Sequence, residues 1–520
     1  MNLIIMPLKK IAKLLFNRIF YVALASLIQL GWIFVMVMRL TGYSRYISVG
    51  SSILSILVVL WISNKKINPS YKLAWTLLIM GVPVFGLVLY LLFGQSRLAR
   101  NMQRRYEDVL KSSASYLQED PGTRNRLRDR DESAFIQSEY IRRVSGYPIH
   151  EHTTAEYFQV GDDMFPVLVR ELKEAKHYIY IEYFIINDGI MWRTILSILE
   201  KKAAEGVDVR LIYDDFGCLT TLPHKYYEFL REKGIKCVVF NPFRPLLNVV
   251  LNNRDHRKIC VIDGHTGFTG GINLADEYIN QKERFGHWKD TAVMLKGEGV
   301  WNMTAMFLHM WTVVTRSKDT PDFEEYLPHK YHPEPFPSDG FVQPYCDSPL
   351  DGETVGENIY LNIINRAKHY VYICTPYLII DNEMMTALCL AAKSGIDVKI
   401  MTPGIPDKKM VFLLTQSYYE QLIQAGVEIY EYQPGFLHAK SFVCDDEIGV
   451  VGTINLDYRS LYLHFENGVW LYDNKTIADI RQDFMDTLDY CNPIDLDFCR
   501  HRNMVVRGIQ SIMRILAPML

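Results

Sequence analysis

The 520-residue sequence has almost no net charge: 56 Lys and Arg face 59 Asp and Glu, leaving −3 at neutral pH. Nucleic-acid binding usually rests on a strongly basic face, and the overall balance offers none. There is no GxxxxGK[ST] segment, so no nucleotide phosphate loop is expected. Cysteine pairs at metal-ligand spacing are also missing. The nine cysteines are scattered, and Cys237, Cys260, Cys374 and Cys444 lie in apolar, strand-like runs that suit buried reduced thiols. Neither a cofactor nor a metal is expected.

Long apolar runs, in contrast, crowd the N-terminal end. Ile19–Met38 and Leu73–Phe93 are uncharged and reach the length of about 20 residues that a bilayer requires. Tyr46–Ser63 between them is shorter and Ser-rich, and reads as a third span. The first run has a long apolar core and no small-residue cleavage site, which argues against a signal peptide. Residues 1–95 are therefore expected to hold two to three transmembrane helices. Lys and Arg divide equally between the two sides, so orientation stays open.

Residues 96–150 form a charged connector. The text then repeats: "AKHYIYIEYFI" at Ala175 returns as "AKHYVYICTPYLI" at Ala367, and "AAEGVDVRLIY" at Ala203 returns as "AAKSGIDVKIM" at Ala391. Short β-branched and aromatic runs alternate with helical segments closed by Gly206, Gly234, Gly395 and Gly426. That order predicts an α/β fold, a mostly parallel sheet under helices in each half. Two units of roughly 180 residues are too few for a solenoid. They suit a duplicated domain with its halves, 151–318 and 341–500, face to face across a Pro-rich linker, 319–340. Residues 501–520 form an amphipathic tail that fits either a membrane surface or the flank of the sheet.

The repeat also carries chemistry. His256, Lys258, Asp263, Gly270 and Asn273 recur at identical spacing as His438, Lys440, Asp445, Gly452 and Asn455. Alternation along a strand puts each His and Lys on one face. The turn that follows should bring Asn273 and Asn455 near their own His. Two such sets facing each other suit a phosphodiester. Lys and Asn donors hold the non-bridging oxygens, one neutral imidazole attacks phosphorus, and the other protonates the leaving alcohol. An imidazole nucleophile needs its second nitrogen anchored. Alignment of "KDTAVML" with "ENGVWLY" pairs Asp290 with Glu466, and these are assigned as the orienting carboxylates. Asp263 and Asp445 belong to the motif, yet each ends its strand and suits tying backbone together. Glu182, a charge inside an apolar strand, fits a catalytic role or a structural ion pair equally. His150, His152, His329 and His332 lie in polar text, and His265 in a turn. Metal ligation by His256 and His438 lacks a second His or Cys at ligand spacing.

At these residues the chain resembles the phospholipase D superfamily, whose signature is HxKxxxxD followed by a Gly/Ser-rich turn and Asn. "YLLFGQ", "EYFIINDGIMW", "YDDFG", "NNRDHRK", "TGGIN", "TPYLIIDNEM", "FLHAKSF" and "GTINLDYRSLYLHFEN" are similar to the bacterial cardiolipin synthases within it. The resemblance implies two α/β halves, each a mixed sheet flanked by helices, around one active site with His256, Lys258, Asp263, His438, Lys440 and Asp445 as its catalytic set. It implies transfer of a phosphatidyl group between two phosphatidylglycerol molecules through a phosphohistidine, in a multi-pass protein of the bacterial plasma membrane. By analogy His256 attacks. Thr453 stands where Ser is common and keeps the hydroxyl, and Ile19–Met38 adds a span before the usual pair. The rivals are a membrane phospholipase D that uses water, a related transferase with another alcohol, a nuclease, or a lipid-binding scaffold.

Overall fold

The computed structural model describes residues 27–28, 31–32, 34–36, 38–39, 45–93, 97–242, 253–317 and 321–519. The chain divides into two compact units. One comprises 1–100 with 241–253 and 515–520; the other comprises 101–240 and 254–514.

In the first unit, α1 (Arg45–Ser63), α2 (Pro69–Gly81) and α3 (Pro83–Phe93) pack together over Ile62, Ile79, Leu87 and Tyr90. Asn68 caps α2 by accepting from Ser70 N at 2.9 Å, with Pro69 in the first turn where its missing N–H costs nothing. The run Leu73–Phe93, expected as one span, is instead two helices of 13 and 11 residues. Pro83 lacks an N–H and disfavours helical geometry at Val82, so the chain breaks there and turns back. Gly86 then lies so close to Ile79 that a Cβ would stand 2.6 Å from its Cα. The run Tyr46–Ser63 coincides with α1. No helix of the described residues is long and apolar enough to cross a membrane. Most of the expected span Ile19–Met38 lies outside the described residues.

The second unit holds both halves of the repeat. Its first half contributes β1 (Thr153–Phe158), β2 (Tyr178–Tyr183), β3 (Asp208–Asp214), β4 (Lys236–Phe240), β5 (Lys258–Ile262), β6 (Thr266–Gly270), β7 (His287–Lys289) and β8 (Ala292–Gly297). The second contributes β9 (Phe341–Asp347), β10 (Tyr370–Cys374), β11 (Leu378–Ile379), β12 (Asp397–Pro403), β13 (Glu428–Tyr432) and β14 (Gly435–Leu437). It continues with β15 (Ser441–Cys444), β16 (Ile448–Gly452), β17 (Leu456–Asp457), β18 (Glu466–Tyr472) and β19 (Cys491–Ile494). Among the described residues one sheet is ordered β1-β8-β6-β5-β2-β3-β4 and the other β19-β13-β12-β10-β15-β16-β18-β9.

Both sheets are mixed. β2, β3 and β4 are parallel, as are β10, β12 and β13. Helical crossovers account for this: α4 (Ile190–Ala204) returns the chain from β2 to β3, and α5 (Tyr226–Glu232) from β3 to β4. The glycines expected to close these helices, Gly206, Gly234, Gly395 and Gly426, all take the left-handed conformation. Beyond that point the expectation of a mostly parallel sheet fails. Asp263–His265 joins β5 to β6 in a turn too short for a crossover, so the motif strands and their neighbours run antiparallel. The second half repeats this pattern through β15, β16 and β18.

Among the described residues, two backbone pairings join the halves. β7 pairs with β14 in parallel, matching Gly435 with His287 and Leu437 with Lys289. A single bridge joins Asp255 to Phe465. Helix α6 (Val300–Thr315), buried almost all round, packs on β4 and β5 of one sheet and β9 of the other. Each connection ends one residue short of a motif histidine, and so the fold delivers both motifs to one seam.

Candidate active site

At the first crossing, His256 N donates to Phe465 O at 2.9 Å and Phe465 N to Arg254 O at 2.8 Å. The next residue is Glu466. Both its carboxylate oxygens lie 2.9 Å from His256 Nδ1. At the second crossing, His438 N donates to Lys289 O at 2.7 Å, and the next residue is Asp290. Asp290 Oδ2 lies 2.6 Å from His438 Nδ1. Each imidazole is thus held by a carboxylate from the opposite half, an exchange that aligning the halves does not show.

Lys258 and Lys440 return to their own histidines. Lys258 Nζ donates to His256 O at 2.5 Å; Lys440 Nζ donates to His438 O and lies 2.9 Å from His438 Nδ1. All four side chains are buried. Asn273 is engaged in this state: its Oδ1 accepts from Ile185 N at 3.0 Å and its amide donates to Tyr278 OH at 2.7 Å. Tyr278 in turn stands edge-on to His438, 5.6 Å between ring centres, so Asn273 connects to the imidazole of the other half. Asn455 is buried, with no hydrogen-bond partner for Oδ1 among the described residues.

The two aspartates of the motif lie at the far end of their strands. Asp263 accepts from the amides of Lys176, His177 and Tyr178 at 2.7–2.9 Å, and Asp445 from those of Lys368, His369 and Tyr370 at 2.6–2.9 Å. Both have positive φ, which Asp tolerates better than most residues. They clamp the starts of β2 and β10, so the geometry separates them from the imidazoles with which the motif groups them. Glu182 resolves to the ion-pair reading: it is fully buried and paired with Arg257, which also bonds Asp255 at 3.0 Å. All nine cysteines are free thiols, the four expected to be buried among them.

Comparison with known proteins agrees with this geometry. A family model described as cardiolipin synthase, PLD-like domain, matches residues 168–311 and 360–488, and one described as phospholipase D-nuclease N-terminal matches 53–95. Cardiolipin synthase 1 of Bacillus cereus is 34% identical over 492 residues, covering 92% of this chain and 96% of its own. Cardiolipin synthase 2 of Bacillus anthracis is 36% identical over 470 residues, covering 89% of each. The chain belongs to the cardiolipin synthase family of phospholipase D-like proteins. A phosphatidylserine synthase of Haemophilus influenzae Rd KW20, 15% identical, shares the fold with a TM-score of 0.55 over 70% of this chain and 93% of that one. Family membership carries the enzyme class, phosphatidyl transfer.

The family's two motifs are electrostatically unlike here. Burial would raise the Glu466 carboxyl, but the facing His256, its hydrogen bond and His464 override that and hold it well below the usual carboxylate range. Thr453 Oγ1 adds a donated hydrogen bond at 2.5 Å, a use for the hydroxyl retained where Ser is common. Burial lowers His256 to about 3 despite the pull of Glu466. This side is a neutral imidazole donating Nδ1–H to an ionised carboxylate. On the other side burial raises Asp290 to about 7, with Lys440 opposing. Burial, then Lys440 and Lys258, press the His438 imidazole down. The Asp290–His438 pair therefore keeps a proton near neutrality.

Several groups at the seam escaped the sequence reading. Phe184 packs edge-on to His256 at 4.9 Å between ring centres, and Trp288 and Phe436 flank His438 at 5.7 and 5.6 Å. His464 lies 5.6 Å from His256, ring to ring. His256, His464 and Glu466 are the one set of groups among the described residues that could hold a metal ion. Sequence spacing could not reveal it, because two of the three ligands belong to the second half.

Proposed function

We propose that the protein transfers a phosphatidyl group from one phosphatidylglycerol to a second, forming cardiolipin and releasing glycerol. His256 Nε2 attacks phosphorus. The bond to the glycerol oxygen breaks, and that oxygen takes the proton held by the Asp290–His438 pair, delivered from His438. The hydroxyl of the second phosphatidylglycerol then returns a proton to His438 and attacks phosphorus, and the phosphorus–nitrogen bond breaks. Lys258 and Lys440 hold the non-bridging oxygens. A bound diester anion also favours the imidazolium of His438, against the burial that disfavours it. Asn273 and Asn455 contribute amide donors to the phosphate, and for Asn273 this requires release of its bond to Tyr278.

The observation that carries the reading is the exchange of carboxylates, which supports one site built from both motifs. The difference between the two pairs supports His256 as nucleophile and His438 as acid. The substrates are lipids, so the site must work at a membrane, and the apolar N-terminal runs suit an anchorage in the bacterial plasma membrane. Exchange of one phosphodiester for another is nearly thermoneutral and calls for no nucleotide.

Intact protein in bilayers of labelled phosphatidylglycerol should yield cardiolipin and free glycerol in equal amounts. Phosphatidic acid as the main product would make it a phospholipase. A different phosphodiester, formed only when another alcohol is added, would make it a related transferase.

A further inference from the structure

Beside the two motif imidazoles lies a third that the transfer reaction does not use. His464 immediately precedes Phe465, whose backbone is bonded to Arg254 and His256. Its side chain is 11% exposed, and its Nδ1 lies 3.6 Å from Glu466 Oε1. Both ring nitrogens are buried with no hydrogen-bond partner among the described residues. Leaving a buried polar atom unsatisfied is costly, so an imidazole whose Nε2 has no partner and whose Nδ1 meets only Glu466 at 3.6 Å favours a ligand able to use it.

The surroundings indicate which ligand. One donor atom each from His256, His464 and Glu466 falls within 4.8 Å of the others. Bonds of about 2.0–2.1 Å in a tetrahedral site place donor atoms roughly 3.4 Å apart, so a modest rotation of the His464 ring closes the set. Two imidazoles and one carboxylate with a fourth position open suit a zinc-class cation. Mg²⁺ and Ca²⁺ prefer oxygen-rich sites. Lys258 and Lys440 face the same seam and oppose a cation, which distinguishes this site from a permanently loaded structural zinc.

We propose that His256, His464 and Glu466 form an inhibitory site for a zinc-class divalent cation. The bound metal ties up the His256 imidazole and the carboxylate that aligns it, so attack on phosphorus stops. The inhibitory consequence rests on His256 being the nucleophile of the proposed transfer; the binding itself does not.

The test uses full-length protein in detergent micelles, stripped of metal with a chelator and then titrated with Co²⁺. The visible d–d bands of a low-coordinate nitrogen and oxygen site should saturate at a single Co²⁺ per chain and disappear as Zn²⁺ displaces it. His464→Asn should weaken Co²⁺ binding by at least about 100-fold, since even outer-shell partners of metal ligands are worth about 10–100-fold. Near-ultraviolet circular dichroism checks that the variant is folded, and His464→Gln replaces it if Asn disturbs the seam. Zn²⁺ should stop phosphatidyl transfer by the unmodified protein, and chelator should restore it.

Bands unchanged in a folded His464 variant overturn the site. So does a sulfur charge-transfer band, which would place the metal on cysteine. Metal bound as expected with transfer undiminished overturns the inhibition. Metal bound as expected in a protein with no transferase activity leaves the site standing and removes the proposed reaction instead.

Discussion

His256 Nδ1 lies 2.9 Å from both carboxylate oxygens of Glu466, a residue 210 positions away in the other half of the repeat. Asp290 and His438 complete the converse pair at 2.6 Å. Neither half therefore supplies the carboxylate for its own motif histidine. Glu466→Gln keeps the size of the side chain but no longer fixes the Nδ1–H tautomer of His256, and Asp290→Asn removes the carboxyl that shares a proton with His438. Each should cost about 10³–10⁴-fold in kcat with little change in KM, by analogy with loss of the orienting carboxylate in other imidazole sites. Steady-state rates on phosphatidylglycerol vesicles decide it. If either substitution costs less than about tenfold, the crossed pairs are structural.

The proposed transfer uses the two histidines in one reaction. His256→Ala and His438→Ala should each remove nearly all turnover, and the double variant should be scarcely slower than either, because residues acting as a unit are non-additive. Independent losses that multiply in the double variant would mean two separate sites. His438→Asn, lacking the acid, should let a phosphatidyl-histidine build up on His256 when the substrate carries a good leaving group, detectable by mass spectrometry of the intact chain.

Duplication made much of this readable in advance. Identical spacing of His, Lys, Asp, Gly and Asn exposes the two motifs, and aligning the halves picks out Asp290 and Glu466. Which carboxylate meets which imidazole was not readable. It depends on the β7–β14 pairing and the Asp255–Phe465 bridge, contacts between segments that no local pattern connects. His464 stayed hidden for the same reason. The mostly parallel sheet failed because strand–helix alternation was carried past β4, where the Asp263–His265 turn takes over. The apolar run Leu73–Phe93 has the length of a span, but Pro83 decides where its helix ends.

Asp263 separates a motif residue from a catalytic one. Its carboxylate accepts three backbone N–H groups at the start of β2 and holds a positive φ. Asp263→Ala removes those charge-assisted bonds and strains the backbone, and should destabilise the fold by about 3 kcal/mol. Asp263→Asn keeps an acceptor and tolerates the conformation, so its loss should be roughly half as large. Thermal unfolding measures both. The folded fraction of either variant should retain kcat within about threefold, in contrast to the histidine substitutions. A folded Asp263→Asn protein without turnover would return this residue to the chemistry.

Activity should also survive a strong chelator. In the proposed transfer Lys258 and Lys440 supply the positive field that a divalent ion provides at many phosphoryl-transfer sites. If zinc occupies the His256–His464–Glu466 set in the isolated protein, chelation should raise the rate. Complete loss on chelation, reversed by one particular divalent ion, would overturn the assignment of phosphate stabilisation to the two lysines.

The alkaline limit of the reaction follows from the two lysines and from the proton of the Asp290–His438 pair. Burial lowers Lys258 to about 7, although Glu466 pulls the other way, and Lys440 to about 8, although Asp290 and Glu466 pull the other way; burial raises Asp290 to about 7. Each ammonium is present below its value and lost above it, and with it goes an anchor for the phosphate. The ratio kcat/KM reports the free enzyme and should fall as pH rises past about 7, through Lys258 and the Asp290–His438 proton, and fall further past about 8 through Lys440. A bound phosphodiester anion favours the ammonium, so kcat should hold to higher pH than kcat/KM. Lys440→Arg, permanently charged, should be slower because its planar head cannot reproduce the contacts of Nζ with His438, yet the further fall past about 8 should vanish while the fall past about 7 stays. Profiles of wild type and Lys440→Arg on the same vesicles read the difference directly. A fall past about 8 that persists in the arginine variant would assign that titration to another group at the seam.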